Sequence, residues 1–230
     1  MTARRAGKRA TIEPVVLITG FEPFDGERIN PSKEIVRRLD RKSIAGHRVV
    51  GRILPVVFGE TGTLLASWID ELHPAVVLAL GQAGGRAELS LERVAINLID
   101  ARIADNAGAQ PIDAPVVAGG LPAHFSQLPV KAMLAAIRAR GIPATASFSA
   151  GTYVCNQVFY LVCDLLSKRS PRAETMRGGF MHVPWLPAQA RNHPGQPSMA
   201  LSAMLTGVRA AIECAATTPV DDEVVGGQTH

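Results

Sequence analysis

One of the three cysteines of this 230-residue chain lies where a strand-like run gives way to an apolar helix. Residues 147–166 read SFSAGTYVCNQVFYLVCDLL, and Cys155 is at the break. A thiol in the first turn of a helix faces unpaired N–H groups and the positive end of the helix dipole, which favours the thiolate. We therefore expect raised nucleophilicity at neutral pH for Cys155. The alternative is a buried cysteine that serves only as a small apolar side chain.

A nucleophilic thiol needs a base, and the base needs a group that fixes its tautomer. His182 lies in the short apolar run GFMHVP, and Glu92 lies in the run LSLERVAINL. A neutral core histidine is the alternative for His182, and an ion pair with Arg93 or Arg102 is the alternative for Glu92. Because catalytic triads are assembled in space and not along the chain, Cys155, His182 and Glu92 together could form one.

Apolar runs of strand and helix type alternate along the chain, and this alternation predicts the elements that must position these residues. Residues 87–97 fit either a strand or irregular structure, and residues 99–120, rich in Asp, Gly and Pro, predict a long irregular excursion. The pattern predicts a single three-layer α/β/α domain with a largely parallel or mixed twisted sheet. Strands are predicted at 14–20, 47–55, 74–81, 144–149 and 179–184, and helices at 33–39, 58–72, 129–140, 154–168 and 198–216.

Two loops follow predicted strands at the sheet edge where open α/β sheets bind ligands. The first, FEPFDG, contains Phe21 and Phe24, and Asn30 after it is placed to cap the next helix. The second, GQAGG, is rich in glycine like a phosphate-binding loop, but no Lys-Ser/Thr pair follows it and it does not match GxGxxG. Two other functions therefore stay open, a non-catalytic protein that binds a phosphate or nucleoside and an enzyme of nucleoside phosphorylase type.

Composition restricts the class of protein further. Hydrophobic residues make up 47% of the chain and charged residues 19%, which is ordinary for one globular domain. No apolar run approaches the roughly 18–20 residues of a membrane span, and the N-terminus has no signal-peptide core, so we expect a cytoplasmic protein without membrane partners. No CxxC pair suggests zinc, and no cofactor is expected. The net charge is +4, and four basic residues near the N-terminus carry that many charges: Arg4, Arg5, Lys8 and Arg9. We expect this segment to be a solvated arm, and a nucleic-acid-binding tail is the alternative.

Four long stretches of the sequence resemble, in the same order, the signature blocks of the pyrrolidone-carboxylate peptidase family, also called pyroglutamyl-peptidase I. The stretches are GFEPFDGERINPS, GQAGGRAELSLERVAINLIDARIADNAG, SAGTYVCNQVFY and GGFMHVPWLP. The family consists of cysteine peptidases. The resemblance implies a peptidase domain at 14–218, preceded by a flexible basic arm at 1–13 and followed by a loose tail at 219–230.

The resemblance also assigns roles to single residues. It places the nucleophile on Cys155, the histidine on His182 and the acid on Glu92, because the family's acid directly precedes RVAIN; Glu88 does not. Arg102 is similar in position to an arginine thought to help polarise the substrate carbonyl. The implied activity is removal of N-terminal pyroglutamate from peptides through a thioester acyl-enzyme.

The implied substrate group is a small, flat, uncharged lactam, so its pocket needs apolar walls and a few amide partners. Phe21 and Phe24 could be walls, with core packing as their alternative, and Gln82 could hydrogen-bond the lactam. The resemblance also implies that the protein forms homo-oligomers, either dimers or tetramers. We expect no nucleic-acid partner. Ala104 departs from the family pattern, which commonly has proline there.

Overall fold

The computed structural model describes residues 13–169 and 176–226 of the chain. Nine strands and six helices lie within these residues. In chain order they are β1 (Val15–Phe21), α1 (Pro31–Leu39), β2 (Ser43–Ile44), β3 (His47–Leu54), α2 (Thr61–Leu72), β4 (Val76–Gln82), β5 (Leu89–Glu92), β6 (Val94–Ile96), β7 (Ala123–Phe125), α3 (Val130–Arg138), β8 (Ala144–Ser147), α4 (Val154–Lys168), β9 (Arg177–Val183), α5 (Pro187–Ala190) and α6 (Leu201–Thr217).

Seven of the strands form one mixed sheet in the order β2-β3-β1-β4-β9-β5-β8. The central strands β3, β1, β4 and β9 are parallel to one another, whereas β2 is antiparallel to β3 and β5 is antiparallel to β9. The remaining two strands, β6 and β7, form a separate antiparallel ribbon. The predicted α/β domain with a mixed sheet is confirmed.

The alternation of side chains along the central strands separates two apolar layers. In β1, Val16 and Ile18 pack with α1, α3 and α6, while Leu17 between them packs with α2 and α4. All three side chains are fully buried. Continuous apolar strands of this kind are expected for a sheet that is covered by helices on both faces.

The start of α1 illustrates how the sequence fixes an element. Asn30 caps the helix, since its Oδ1 accepts a hydrogen bond of 3.0 Å from the Ser32 backbone N–H, and Pro31 occupies the first turn. This predicted cap is confirmed. Some elements differ from the prediction: α2 begins at Thr61, three residues late, and the short elements β2, β7 and α5 were not predicted.

The segment after α6 is partly ordered against the domain. Asp221 accepts hydrogen bonds of 2.8 and 3.0 Å from the backbone N–H groups of Lys131 and Ala132, at the start of α3, so this part of the expected loose tail is held in place. Residues 227–230 and the basic arm up to residue 12 lie outside the described residues. None of the described helices is long and apolar enough to cross a membrane.

Candidate active site

Cys155 is the second residue of α4, and its sulfur lies against the end of β4. No side chain caps this helix, so the first-turn N–H groups are left without a helical partner. A Cβ atom built on Gly81 would lie only 2.8 Å from the Cys155 Sγ. The sulfur therefore occupies the space that a side chain at position 81 would fill.

His182 lies on the strand beside Gly81. The register of β4 and β9 pairs Gly81 directly with His182, so their Cα–Cβ directions point to the same face of the sheet. Phe180, two residues earlier on that face, contacts the His182 ring edge-on at 4.9 Å between centroids and also borders the Gly81 position. The thiol and the imidazole thus lie on one face, on elements that meet at Gly81.

Glu92, at the end of β5, contacts His182 from the neighbouring strand. Glu92 Oε1 and His182 Nδ1 are 2.7 Å apart, and the side chains of Glu92 and His182 are only 0% and 4% exposed. Because an ionised carboxylate can only accept hydrogen bonds, Nδ1 carries the proton and the neutral ring keeps Nε2 free as a base. The structure therefore brings His182 and Glu92 together, with Cys155 on the same side of the sheet.

Arg86 also contacts this cluster, and this contact was not predicted from the sequence. Arg86 Nη1 lies 2.7 Å from Glu92 Oε1, and Arg86 Nη2 lies 3.3 Å from the carbonyl oxygen of Ser149. The alternative for Glu92, an ion pair with Arg93 or Arg102, is wrong, since Glu92 pairs with Arg86. Arg86 directly follows the GQAGG loop in the second sequence block, but the block resemblance assigned it no role.

The charges of this cluster follow from burial and from the partners. Burial by itself raises the pKa of Glu92, but His182, the Ser147 hydroxyl and Arg86 outweigh it and hold the pKa below its usual value. Burial lowers the pKa of His182, and Arg86 lowers it further, while Glu92 opposes both. The resting pair is therefore an ionised carboxylate beside a neutral imidazole.

The protonation of Cys155 differs from the expectation drawn from its helix position. Burial raises the pKa of the Cys155 thiol to about 12, and the charge of Glu92 adds to the rise while Arg86 opposes it. Desolvation of a thiolate thus outweighs the helix dipole here. The raised pKa favours a protonated thiol at neutral pH, so a base must take the proton before Cys155 can attack.

The glycine-rich loop before Arg86 is shaped by packing. Gly84 lies so close to Trp185 that a Cβ atom on it would be 2.2 Å from the indole ring. Gly85 has a φ of +81°, a conformation that other residues rarely adopt. The close contact at Gly84 and the positive φ at Gly85 account for these two glycines.

Three of the four predicted substrate-binding residues line one cavity of about 300 Å³. They are Phe24, Gln82 and Arg102, of which Arg102 is exposed. Phe21 is separate from them, since its ring is 2% exposed and packs in the core with Leu17. The alternative of core packing therefore describes Phe21, while Phe24 is half-buried at the cavity. The complete lining is Phe24, Asp25, Glu27, Gln82, Gly84, Arg102, Trp185 and His193.

The orientation of Gln82 in this cavity is fixed by a second glutamine. The Leu186 backbone N–H donates to Gln189 Oε1 at 3.1 Å, so the Gln189 amide nitrogen is the group that donates to Gln82 Oε1, at 2.8 Å. Gln189 is 1% exposed. Because Gln82 Oε1 already accepts the hydrogen bond from Gln189, the Gln82 NH₂ group remains available to donate to a ligand.

Two aromatic residues that the sequence analysis missed also belong to this region. Tyr153, two positions before Cys155, lies 6.2 Å from Phe24 between ring centroids, and its hydroxyl donates to the Ala104 carbonyl at 3.0 Å. Trp185 stacks on His193 at 3.9 Å. Both residues were visible in the sequence blocks around Cys155 and His182, but nothing in their spacing pointed to the cavity.

Metal ligation has no support in the part of the chain that the structure describes. There, no three His, Cys, Asp or Glu side chains come together in a way that could hold a metal ion. The three cysteines are free thiols: Cys155, Cys163 and Cys214.

Two curated pyrrolidone-carboxylate peptidases illustrate the sequence similarity of known proteins to this chain over nearly its whole length. A pyrrolidone-carboxylate peptidase of Klebsiella pneumoniae is 54% identical over 215 residues, covering 94% of this chain and 99% of the relative. One of Escherichia fergusonii is 55% identical over 215 residues, with the same shares of both chains.

Solved structures show the same fold. The crystal structure of pyroglutamyl peptidase I from Bacillus amyloliquefaciens matches with a TM-score of 0.87 at 39% identity, covering 91% of this chain and 100% of that chain. A mutant pyrrolidone carboxyl peptidase from Pyrococcus furiosus matches with a TM-score of 0.84 at 42% identity, covering 88% and 98%. The family model for pyroglutamyl peptidase matches residues 15–218. The chain therefore belongs to the pyroglutamyl peptidase family.

Proposed function

We propose that this protein removes N-terminal pyroglutamate from peptides, with Cys155 as nucleophile, His182 as general base and acid, and Glu92 as the group that orients His182. The observation that supports this most strongly is the buried 2.7 Å contact between His182 Nδ1 and Glu92 Oε1, on the sheet face where the Cys155 sulfur lies against Gly81. Family membership supports the same reaction.

The first half of the reaction forms the acyl-enzyme. His182 Nε2 takes the thiol proton as the Cys155 sulfur attacks the carbonyl carbon that joins pyroglutamate to the next residue. The uncapped N–H groups at the start of α4, with Arg102, stabilise the oxyanion. The C–N bond then breaks, a C–S bond remains, and His182 returns the proton to the departing amine nitrogen.

The second half releases pyroglutamate. Water gives a proton to His182 Nε2 and attacks the thioester carbon, the C–S bond breaks, and the proton returns to the sulfur. Glu92 keeps the same imidazole tautomer throughout, because its ionised carboxylate accepts from Nδ1. The neutral resting thiol is regenerated and atoms and charge balance.

The cavity beside this site suits an uncharged lactam. Phe24 supplies an apolar wall, and the Gln82 NH₂ group, held by Gln189, donates to the lactam carbonyl. The lining also includes Asp25 and Glu27, of which Glu27 lies 2.8 Å from His193, so selection of the lactam is proposed to depend on the Phe24 wall and the Gln82 amide. Pyroglutamyl peptides are therefore the proposed substrates.

Cytoplasmic location and a homo-oligomeric state stay predictions, as does the division of the chain at residues 13 and 218.

The test compares pyroglutamyl, prolyl and glutaminyl arylamides under reducing conditions. We expect hydrolysis of the pyroglutamyl compound only, because the other two lack the lactam carbonyl that would accept from the Gln82 NH₂ group. Cys155→Ser should lower kcat/KM by at least about 10³-fold, whereas Cys214→Ser, a partly buried thiol on α6, should match the wild type. Preference for the prolyl compound, or full activity of Cys155→Ser, would refute the proposal.

A further inference from the structure

The carboxylate of Glu92 contacts a cation as well as its histidine. Arg86 and His182 contact the same oxygen, Glu92 Oε1, each at 2.7 Å. Glu92 is fully buried, whereas the Arg86 side chain is 31% exposed and reaches in from the loop between β4 and β5. One carboxylate oxygen thus contacts both the guanidinium and the imidazole that is the proposed base.

We propose that Arg86 is a positioning residue that keeps Glu92 ionised and His182 neutral, and that it thereby sets the lower pH limit of catalysis. This inference rests on the proposed function, because it assigns Arg86 a role in that same reaction. Arg86 touches neither the thiol proton nor the substrate in this account and acts through Glu92.

The physical need for such a cation follows from burial. A carboxylate without compensation in a buried site takes up a proton or raises the proton affinity of its neighbour. If His182 took that proton, the imidazolium could no longer accept one from the Cys155 thiol. A fixed guanidinium balances the negative charge without a titratable proton, since arginine stays protonated at all relevant pH values.

Titratable and charged groups lie near the imidazole on β5, on the loop before β5 and on α4. Glu92 contacts it from β5, Arg86 contacts Glu92 from the loop, and the neutral Cys155 thiol lies on the α4 side. Arg93 follows Glu92 in the chain but is directed to Asp221, 3.5 Å away. Arg86 is therefore the cation that acts on the His182 and Glu92 pair, in agreement with its lowering effect on the pKa of both.

A second contact of Arg86 gives it a positional role. Its Nη2 lies 3.3 Å from the carbonyl oxygen of Ser149, in the segment that leads to Cys155. One guanidinium thus joins the strand that bears Glu92 to the turn before α4. A planar fork can make both contacts, whereas an ammonium group can supply the charge but only a point contact.

The test is the pH dependence of kcat/KM for a pyroglutamyl arylamide in three variants. In Arg86→Gln we expect the acid limb to move upward by about one pH unit, since a nearby charge shifts a pKa by about 1–3 units. Below the limb this means about a tenfold loss of kcat/KM. Arg86→Lys should restore the limb but not the full rate. Arg93→Gln is the matched control, because its side chain is 32% exposed and it loses the same charge; its limb should stay in place.

A second readout does not depend on turnover. The imidazole of His182 can be titrated by NMR in the resting protein, and its pKa should rise in Arg86→Gln and return in Arg86→Lys. A uniform loss of rate with an unmoved acid limb and an unmoved His182 titration would overturn the inference and leave Arg86 a purely structural residue. If the wild-type protein instead failed to hydrolyse the substrate, the proposed function would fall, while the titration would still decide what Arg86 does to His182.

Discussion

Cys155 depends on His182 for its reactivity in this account. Burial raises the pKa of the thiol to about 12, so the helix end alone does not produce a thiolate. The nucleophile forms when His182, held neutral and oriented by Glu92, takes the proton during attack. Such a site keeps its thiol unreactive until a substrate occupies it, which fits a cysteine that is only partly exposed to solvent.

The protonation of Cys155 can be tested by alkylation with iodoacetamide across pH 5–10. We expect the rate at Cys155 to keep rising with pH through the whole range, because the thiolate fraction grows until the pH passes the raised pKa. Mass spectrometry of the modified peptide gives the rate, and Cys155→Ser gives the background from the other two cysteines. A rate that reaches a plateau below pH 7 would instead show a resting thiolate–imidazolium pair and would contradict the neutral pair.

Residue types and the block resemblance were sufficient to single out Cys155, His182 and Glu92 from the sequence. They were not sufficient to predict the protonation states of these three residues, because the direction of a pKa shift depends on burial, which only the tertiary structure determines. Arg86 and Gln189 were missed for a related reason. Each acts through a side-chain contact, with Glu92 or Gln82, that only the tertiary structure determines; Arg86 lies in the second sequence block, but the block resemblance assigned it no role.

At the scale of elements, the site depends on the meeting of β4, β9 and α4. A glycine one residue before the end of β4 lets the helix start approach the sheet, and the Cys155 sulfur and the Phe180 ring share the space that a side chain at Gly81 would need. The neighbouring strand then presents His182 at the same level. The proposed chemistry therefore depends on the absence of a side chain at Gly81 as well as on the catalytic side chains.

Gly81→Ala tests this packing directly. A Cβ atom there would lie 2.7 Å from Phe180 and 2.8 Å from the Cys155 Sγ, so we expect the sulfur to be displaced, kcat/KM to fall at least about tenfold and stability to fall by about 1–3 kcal/mol. Gly62→Ala in α2 is the control, because its Cβ would meet its nearest neighbour, Leu161, at 3.4 Å and alanine favours the helix. Arylamide kinetics and thermal unfolding measure both variants. Equal activity in the two would show that the sulfur does not depend on the space at Gly81.

Long elements with clear periodicity were predictable, and short ones were not. The helix α4 has the predicted bounds, and β1 and β4 lie within one or two residues of theirs. The segment 87–97 stayed ambiguous because β5 and β6 are only four and three residues long, and because β5 runs antiparallel to its neighbour β9. Direction and pairing of such strands are set by long-range contacts, which periodicity does not contain.

For the whole molecule, the three-layer architecture determines which residues meet. Glu92, Cys155 and His182 are distant in sequence, yet β9 lies between β4 and β5 in the sheet and brings them together. The cavity lined by Phe24, Gln82 and Arg102 combines the loops after β1, β4 and β6. The sequence predicted the sheet and its helices, but strand order decides that these loops and strands build one site.

Mass spectrometry of the rapidly quenched enzyme can show whether Cys155 becomes acylated by pyroglutamate, as the proposed reaction requires. With excess pyroglutamyl ester as substrate, we expect a mass increase of one pyroglutamyl group on the peptide that contains Cys155, absent in Cys155→Ser and unchanged in Cys214→Ser. Hydrolysis at the full rate by Cys155→Ser, or the acyl group on another residue, would refute the thioester mechanism.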